Sequence, residues 1–332
     1  MAVYALAFIA YAIDLARRSG AVSAGISSLV ESARPVEPSA LIEPVETIAA
    51  STRHAGSRTG SRAGTSTLEK APPIASFGYG RSPSLRVGIA LTIIAWLLQL
   101  AAVFTRGLAA GRVPWANMYE FAMTGTLIIV TVYLLVNLKV DLRFLGTFVT
   151  GLVLVLLGLA AVNFYVSVVP LPSALRSIWL VIHVFVASSS VGFFAIGFGL
   201  SVVQLLQSRR DALVAEAKAV RLRLLATLPS AERLENLAYR INIVGFILWT
   251  FTLMAGAIWA ERAWGRYWGW DTKEVWTFII WTIYAGYIHA RATRGWRGSR
   301  SAWLAIVGFS AVLFNFTIVN LFFKGLHAYS GL

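Results

Sequence analysis

Long apolar runs separated by short polar segments dominate this chain of 332 residues. A helix that crosses a bilayer needs about 20 mostly apolar residues, and several of the runs approach or exceed that length. We therefore predict an all-α fold, a polytopic transmembrane helical bundle of about eight spans. The predicted spans are 1–16, 86–105, 119–137, 144–166, 178–206, 241–260, 274–292 and 302–323.

The spans divide the chain into three regions. Residues 1–16 are a first short span, for which a start-site artefact or an uncleaved signal-like segment is the alternative. Residues 17–85 are rich in Ser, Gly, Pro and Arg without a hydrophobic period, which predicts a disordered, basic cytoplasmic linker. Residues 86–332 hold the other spans. Within them, the loop 207–240 has the composition of amphipathic helices broken at Pro229, and we expect it to lie along the inner membrane surface.

The basic residues set the orientation of the bundle. The chain carries a net charge of +14, and 22 of its 29 Lys and Arg residues share one side of the membrane if both termini lie outside. Because loops rich in Lys and Arg stay in the cytoplasm, we predict that both termini are external. The charges lie in loops between apolar spans, which argues against a nucleic-acid partner.

Tryptophan is concentrated in one short stretch of the chain. Six of the twelve tryptophans fall around the external loop that joins spans six and seven. They are Trp259, Trp264, Trp268, Trp270, Trp276 and Trp281. An interfacial aromatic belt distributes its tryptophans over many span ends, so this density exceeds what a membrane anchor requires. We interpret the stretch as a platform for a flat aromatic ligand.

Two histidines share the external side with these tryptophans. His183 begins span five at its outer edge, and His327 follows span eight. Neutral imidazole is a good axial ligand for haem iron, and a porphyrin needs aromatic and apolar walls, so the pattern favours a bis-histidine haem site over a tryptophan shelf. His289 lies 18 residues beyond Asp271. That is roughly 27 Å along a helix, near the cytoplasmic end of span seven, where His289 can ligate a second metal or haem.

Each of these features has a structural alternative. A single interfacial histidine or tryptophan is usually an anchor, and His289 lies near enough to Arg291 to extend toward the inner interface. Asp271 and Glu274 have the spacing of a capping box, which opens span seven without any catalytic role. His54, inside the linker, is expected to be a solvated side chain. The chain has no cysteine, so any thiol chemistry belongs to a partner.

Two stretches of the chain resemble one known family. From Trp264 to Arg291, the sequence W-G-R-Y-W-G-W-D-T-K-E-V-W-T-F-I-I-W-T-I-Y-A-G-Y-I-H-A-R is similar to the WWD signature of haem-handling proteins, specifically the CcsA (ResC) branch of system II cytochrome c biogenesis. P-W-A-N-M-Y-E, from Pro114 to Glu120 and preceded by Arg106, looks like the outer-loop motif of that branch. The resemblance covers residues 86–332 and marks 259–274 as the WWD segment of a haem-handling transmembrane domain.

The resemblance implies the haem-handling subunit of a holocytochrome c synthase, of the cytochrome c haem lyase type. Haem b passes through a transmembrane site, is presented on the WWD face with His183 and His327 as axial iron ligands, and is joined there to the C-x-x-C-H segment of apocytochrome c. His289 is implied as an iron ligand of the haem inside the membrane. Asp271 is the third catalytic candidate, to contact a propionate, to orient a donor or only to cap the helix. The implied porphyrin contacts are Trp259, Trp264, Trp268, Trp270 and Trp276.

The resemblance also implies partners and a location. The opposing histidine of the transmembrane haem is expected from a CcsB (ResB) membrane subunit, and thiol-reducing proteins of the CcdA or CcsX type are further candidate partners. We expect a multi-pass protein of the bacterial plasma membrane, with a plastid thylakoid as the alternative. The external cations that can pair with the haem propionates, among which the sequence does not choose, are Arg106, Arg112, Arg262, Arg266 and Lys273.

Two other classes of protein remain open from the sequence. One is a CcmC-like haem delivery protein, which shares the WWD face and the two external histidines but makes no thioether bond. The other is a non-enzymatic membrane transporter or quinone-binding subunit, which uses the tryptophans as an anchor and carries no haem.

Overall fold

The computed structural model describes residues 1–32, 82–168, 176–216, 218, 223–293, 295–323, 325 and 326. Over these residues the chain is helical without strands, which confirms the predicted all-α bundle. The α-helices are α1 Ala2–Ser32, α2 Pro83–Ala110, α3 Met118–Asn137, α4 Gly146–Asn163, α5 Ile178–Ala215, α6 Ala231–Trp264, α7 Thr272–Thr293, α8 Ser299–Phe316 and α9 Ile318–Phe322. Short 3-10 helices occupy Arg143–Leu145 and Arg223–Thr227.

Six helical segments within the described ranges are long and apolar enough to cross a membrane. They are α2, α3, α4 with the 3-10 turn before it, α5, α6, and α8 continued by α9. The other two predicted spans fall on α1 and α7, which pack into the same bundle but are more polar than the six. The protein is therefore a helical membrane protein.

The helix that holds the first predicted span is longer than that span. α1 continues to Ser32, so it includes residues 17–32 of the predicted linker. The remaining linker residues, 33–81 with His54, lie outside the described residues. α1 belongs to the bundle, because its Tyr11 side chain packs directly on Gly88 of α2 and on Gly146 at the start of α4.

The loop between spans five and six also differs from the prediction. The break at Pro229 is confirmed, since Ser230 caps α6 by accepting a hydrogen bond from the Arg233 backbone N–H at 3.3 Å. The helical parts, however, are not separate amphipathic helices. α5 continues to Ala215 and α6 begins at Ala231, because both membrane-crossing helices extend well past their apolar segments.

One close glycine contact and one ring stack hold α5, α6 and α7 together in the main core. Gly245 of α6 lies against the ring of Phe194 on α5, where an added Cβ atom would come within 2.8 Å of that ring. The other face of Phe194 stacks on Tyr284 of α7, with 3.7 Å between ring centroids. This close packing joins the middle of α5 to the middle of α6.

Candidate functional site

A cavity opens where α3, α5, α6, α7, α8 and α9 meet at one end of the bundle. Its volume is about 150 Å³, and its lining is mostly apolar and aromatic. Its walls include Trp115, Phe121, Leu180, Trp249, Trp259 and Phe316. A smaller adjoining cavity shares His183 and Trp259 and reaches Tyr267 and Trp268 of the WWD segment. A pocket lined mainly by apolar and aromatic side chains with a few polar groups is typical of a ligand site.

His183 lies between the two cavities, in the second turn of α5. Its Nδ1 atom lies 3.0 Å from the backbone carbonyl oxygen of Thr252 on α6. A carbonyl oxygen only accepts hydrogen bonds, so Nδ1 carries the proton and Nε2 of the neutral ring is the atom able to ligate a metal. Gly256, one turn further along α6, makes room for the ring, because a Cβ atom there would come within 2.8 Å of His183 Cε1.

One predicted tryptophan packs on this histidine, and three more lie nearby. Trp259, which is only 1% exposed, stacks on His183 with 6.0 Å between ring centroids and 17° between ring planes. Trp264 meets Trp259 edge-on at 4.7 Å. Trp268 lines the adjoining cavity and is met edge-on by Trp270 at 6.0 Å. The structure thus brings His183 together with the aromatic platform that the sequence predicts.

The turn before α7 is held by a capping box. Asp271 Oδ1 accepts the Lys273 backbone N–H at 3.3 Å, and Glu274 Oε2 accepts the Asp271 backbone N–H at 3.1 Å. The same Glu274 oxygen also accepts the Gly269 N–H at 2.8 Å. Between those two N–H groups, Trp270 adopts a φ of 58° and is 78% exposed. The predicted capping role of Asp271 and Glu274 is therefore confirmed.

Trp276 and Trp281 lie apart from the other four tryptophans. Trp276 packs on Phe314 of α8 at 4.3 Å, and Trp281 donates a hydrogen bond to Thr250 Oγ1 at 3.0 Å. Neither lines the two cavities around His183. These two side chains join α7 to its neighbouring helices, so the structure does not bring the predicted porphyrin contact Trp276 to the site.

The other two predicted iron ligands lie away from His183 or outside the described residues. His289 is exposed near the C-terminal end of α7, on a face shared with Phe278, Thr282 and Gly286. No described side chain would meet a Cβ atom at Gly286, so this face is open. His327 lies outside the described residues. The chain just before it comes close to the capping turn, since a Cβ atom at Gly325 would lie 2.5 Å from Asp271 Oδ1.

Two of the five candidate cations are held by a buried carboxylate. Glu120, near the start of α3, has a fully buried side chain. Its oxygens accept hydrogen bonds from Arg106 at 3.1 Å, from Arg112 at 2.6 Å and from the Ala116 backbone N–H at 3.1 Å. The P-W-A-N-M-Y-E motif thus supplies the acid that ties two arginines into the bundle.

The remaining candidate cations differ in their access to the cavity. Arg262 and Arg266 are exposed, and neither lines a cavity beside His183. Lys273, in the first turn of α7, lines both cavities and donates a hydrogen bond to Asn320 Oδ1. Its ammonium group lies 5.8 Å above the ring of Phe316. Burial lowers the pKa of Lys273 to about 8, and the nearby Asp271 carboxylate opposes that shift.

Sequence reasoning did not find the residues that support His183 and Lys273. Thr252 and Gly256 are a polar and a small residue four positions apart in an apolar span, so they share one helix face. A polar and a small residue on one face of an apolar helix indicate that this face packs closely against another side chain, and that spacing could have been read from the sequence. Asn320 gave only the weaker signal of an amide near a span end, because its partners Lys273 and Met118 come from distant parts of the chain.

Residues 115–327 match the family model described as Cytochrome C assembly protein, and this match gives the class of protein to which the fold and the site belong. Cytochrome c biogenesis protein CcsA of Guillardia theta is 35% identical over 264 residues, which cover 74% of this chain and 86% of that protein. The CcsA protein of Prochlorococcus marinus is 36% identical over 259 residues, covering 70% and 80%. That of Synechococcus elongatus is 34% identical over 282 residues, covering 73% and 87%. The chain belongs to the CcsA family, as the two motifs predict.

Proposed function

We propose that this chain is the haem-handling subunit of a cytochrome c synthase. In this proposal haem b binds in the cavity beside His183, with His183 and His327 as the axial ligands of its iron. The chain then holds the haem while apocytochrome c is joined to it. Membership of the CcsA family supports a role in cytochrome c biogenesis.

The hydrogen bond between His183 and Thr252 is the observation that carries the proposal. With Nδ1 donating to the Thr252 carbonyl oxygen, Nε2 is the ring nitrogen that could bind iron, at the wall of a cavity whose other walls are aromatic and apolar. The stacked Trp259 ring restricts rotation of the imidazole and so holds Nε2 in one direction.

Thioether formation needs this chain to orient the reactants and needs no nucleophile from it. In thioether formation the thiol sulfur of a cysteine bonds to one carbon of a haem vinyl group, the C=C π bond is lost, and the thiol hydrogen goes to the other carbon. Both thiols come from the C-x-x-C-H segment of the apocytochrome, and this chain has no cysteine. The contribution of the chain is then to bring vinyl and thiol together, an effect of proximity.

The exposed face of α7 supports a second proposed haem site. His289 on this face would be one iron ligand of a haem inside the membrane, and a CcsB-type membrane subunit would supply the opposing histidine. The open space at Gly286, one turn before His289, suits the close approach of a flat ligand or of a partner helix. We place the complex in a bacterial plasma membrane, with the WWD segment external and thiol-reducing proteins of the CcdA or CcsX type as further partners.

A reporter experiment tests the proposed function. The chain is expressed with a CcsB-type subunit and a reporter apocytochrome c in a bacterial host that lacks its own cytochrome c biogenesis. Covalent haem on the reporter is measured by haem-dependent peroxidase staining after denaturing electrophoresis. We expect the wild type to produce stained reporter, His183→Ala and His327→Ala to reduce it to background, and added imidazole to restore the His183→Ala variant.

His54→Ala is the matched control for this experiment, because His54 is the histidine that the proposal leaves without a role. Its reporter yield should equal that of the wild type. An unchanged yield in His183→Ala would contradict the proposal. If the wild type binds haem but never transfers it covalently to the reporter, the chain delivers haem as a CcmC-like protein does and is not part of a synthase.

A further inference from the structure

The cavity beside His183 contains buried polar atoms whose partners are not in the described protein. Asn117 and Asn315 both line it and are 4% and 5% exposed. The amide nitrogen of Asn117 and the amide oxygen of Asn315 have no hydrogen-bond partner among the described residues. A buried polar group without a partner costs about 1–3 kcal/mol, so the Asn117 donor indicates an acceptor group of a ligand there, whereas the Asn315 oxygen is itself an acceptor and takes no part in that contact.

The orientation of the Asn117 amide is fixed by its capping role. Asn117 is the N-cap of α3, and its Oδ1 atom accepts the Glu120 backbone N–H at 2.9 Å. Because a backbone N–H can only donate, the oxygen must face the helix and the NH₂ group is left as the side chain's donor. Asn117 therefore offers the cavity a hydrogen-bond donor.

Lys273 offers the cavity a charged donor. It is the one cation among the described residues that line the larger cavity. Asn320 accepts one of its N–H donors, and Asn320 is itself held by its bond to the Phe316 carbonyl oxygen at 2.9 Å. Glu274 lines the adjoining cavity, and its Oε2 atom accepts the backbone N–H groups of Gly269 and Asp271. An ammonium and an amide donor together match an anionic group with several acceptor oxygens.

We propose that Lys273 and Asn117 bind a haem propionate carboxylate in the cavity beside His183. This inference rests on the proposed haem-handling function and chooses among the five cations that the sequence leaves equivalent. Arg106 and Arg112 are paired with Glu120, and Arg262 and Arg266 lie outside the cavity lining. With its carboxylate edge held at Lys273, the haem has its vinyl groups on the other part of the ring, where apocytochrome thiols must reach them.

The test compares haem with its dimethyl ester, in which both propionates are uncharged. Each is titrated into the full chain, purified in detergent together with its CcsB-type subunit, and binding is followed by the Soret band. We expect the wild type to bind haem about tenfold or more tightly than the ester, because the charged contact is lost on esterification. Lys273→Met should remove most of that preference, and Lys273→Arg should retain it.

Two further variants make the test specific. Asn117→Ser keeps an N-cap side chain but lacks the amide donor, so it should weaken the preference for haem while α3 stays capped. Arg262→Met and Arg266→Met remove exposed cations that do not line the larger cavity and should leave the preference at the wild-type value. If either arginine variant lost the preference while Lys273→Met kept it, that arginine would be the residue that binds the carboxylate, and the inference would be overturned.

The outcomes separate this inference from the function on which it rests. If the wild type binds haem and ester equally well with the spectrum of histidine ligation, the carboxylate site is absent and the proposed function stands. If neither compound gives that spectrum, the proposed function fails. Since the wild-type comparison needs no variant, a Lys273→Met protein that does not fold leaves the inference testable.

Discussion

The imidazole of His183 is held by two residues of the facing helix α6. The Thr252 carbonyl oxygen fixes the proton on Nδ1, and Gly256 leaves the space that the ring occupies. Groups that hydrogen-bond a metal-binding histidine commonly change metal affinity by about 10-fold to 100-fold. In the proposed haem site, Thr252 and Gly256 would therefore affect haem affinity through the position of the His183 ring.

Gly256→Ala tests this support directly. The new Cβ atom would come within 2.8 Å of His183 Cε1 and 2.9 Å of Nδ1, so the ring must move away from Thr252. We expect haem affinity to fall by about tenfold or more, measured by titration of the Soret band. Gly158→Ala, at a helical glycine with open space around it, is the matched control and should bind haem normally. Equal affinity in the two variants would show that the position of the His183 ring does not matter.

Lys273 is charged only while it is protonated. The preference of the protein for haem over its dimethyl ester should therefore depend on pH. Lys273 lies ahead of the predicted span 274–292, and its pKa is lowered to about 8. As the pH rises from 7 to 9 the ammonium loses its proton, and the preference should decline at or above pH 8, since a bound carboxylate raises this pKa.

Lys273→Arg isolates this effect from the other titratable groups that face Lys273, which are Asp271, Glu274 and His183. A guanidinium stays charged throughout this range, so this variant should show a constant preference from pH 7 to 9. A parallel decline in wild type and Lys273→Arg would assign the pH dependence to one of those other groups.

The turn between α6 and α7 is the element that presents the WWD segment. Glu274 accepts the Gly269 and Asp271 backbone N–H groups and so encloses Trp270, which has a positive φ and points outward. A non-glycine residue in this conformation is held there by its surroundings. The exposed Trp270 ring is thus positioned by a buried carboxylate rather than by its own contacts.

Glu274→Ala should release this turn. The two amides lose their charged acceptor, and each such hydrogen bond contributes about 1.5–3 kcal/mol. We expect hydrogen exchange at the Gly269 and Asp271 amides to accelerate, as measured by mass spectrometry of the peptide that contains them. Glu274→Gln retains an acceptor oxygen and should protect both amides partly. Unchanged exchange in Glu274→Ala would mean that other contacts hold the turn.

Helical elements were predictable from the sequence, whereas contacts between them were not. Six of the predicted spans coincide with helices that meet the length and hydropathy of a membrane span, because twenty apolar residues leave few alternatives. The Asp271 capping box was predictable because its partners are three residues apart. The pairing of Glu120 with Arg106 and Arg112 was not, since the partners lie across a turn whose path depends on the fold.

The predicted limits of the polar segments were less accurate, for a related reason. Hydropathy detects the part of a helix that is apolar, not the part that is helical. α1 and α5 both extend beyond their apolar runs, to Ser32 and Ala215, where polar residues continue the helix. Which of several cations reaches the cavity was equally hidden, because Lys273 is selected by the position of α7 against α8 and α9.

On the scale of the whole molecule, the site lies at one end of a bundle built from distant parts of the chain. One end each of α3, α5, α6 and α7 meets α8 and α9 around His183, while His289 lies toward the other end of α7. The two histidines thus mark opposite sides of the bundle. This arrangement matches the proposed passage of haem from a site within the membrane to one on the external face.

The absence of cysteine from the chain makes its orientation directly measurable. Single cysteines are introduced at Tyr267, which is 63% exposed in the WWD segment, and at Lys139, an exposed residue after α3. A membrane-impermeant maleimide should label Tyr267→Cys in intact cells and Lys139→Cys only after permeabilisation, because basic loops stay inside. The reverse pattern would place the WWD segment in the cytoplasm and contradict the predicted topology.

The absorption spectrum of the purified chain with its CcsB-type subunit tests the central claim most directly. We expect the reduced wild type to show the Soret, α and β bands of haem with two histidine ligands. These bands should weaken in His183→Ala and His327→Ala and recover with added imidazole, while His289→Ala should lose only the haem bound within the membrane. Wild-type protein without haem, or a His183→Ala variant with the full wild-type spectrum, would contradict the account.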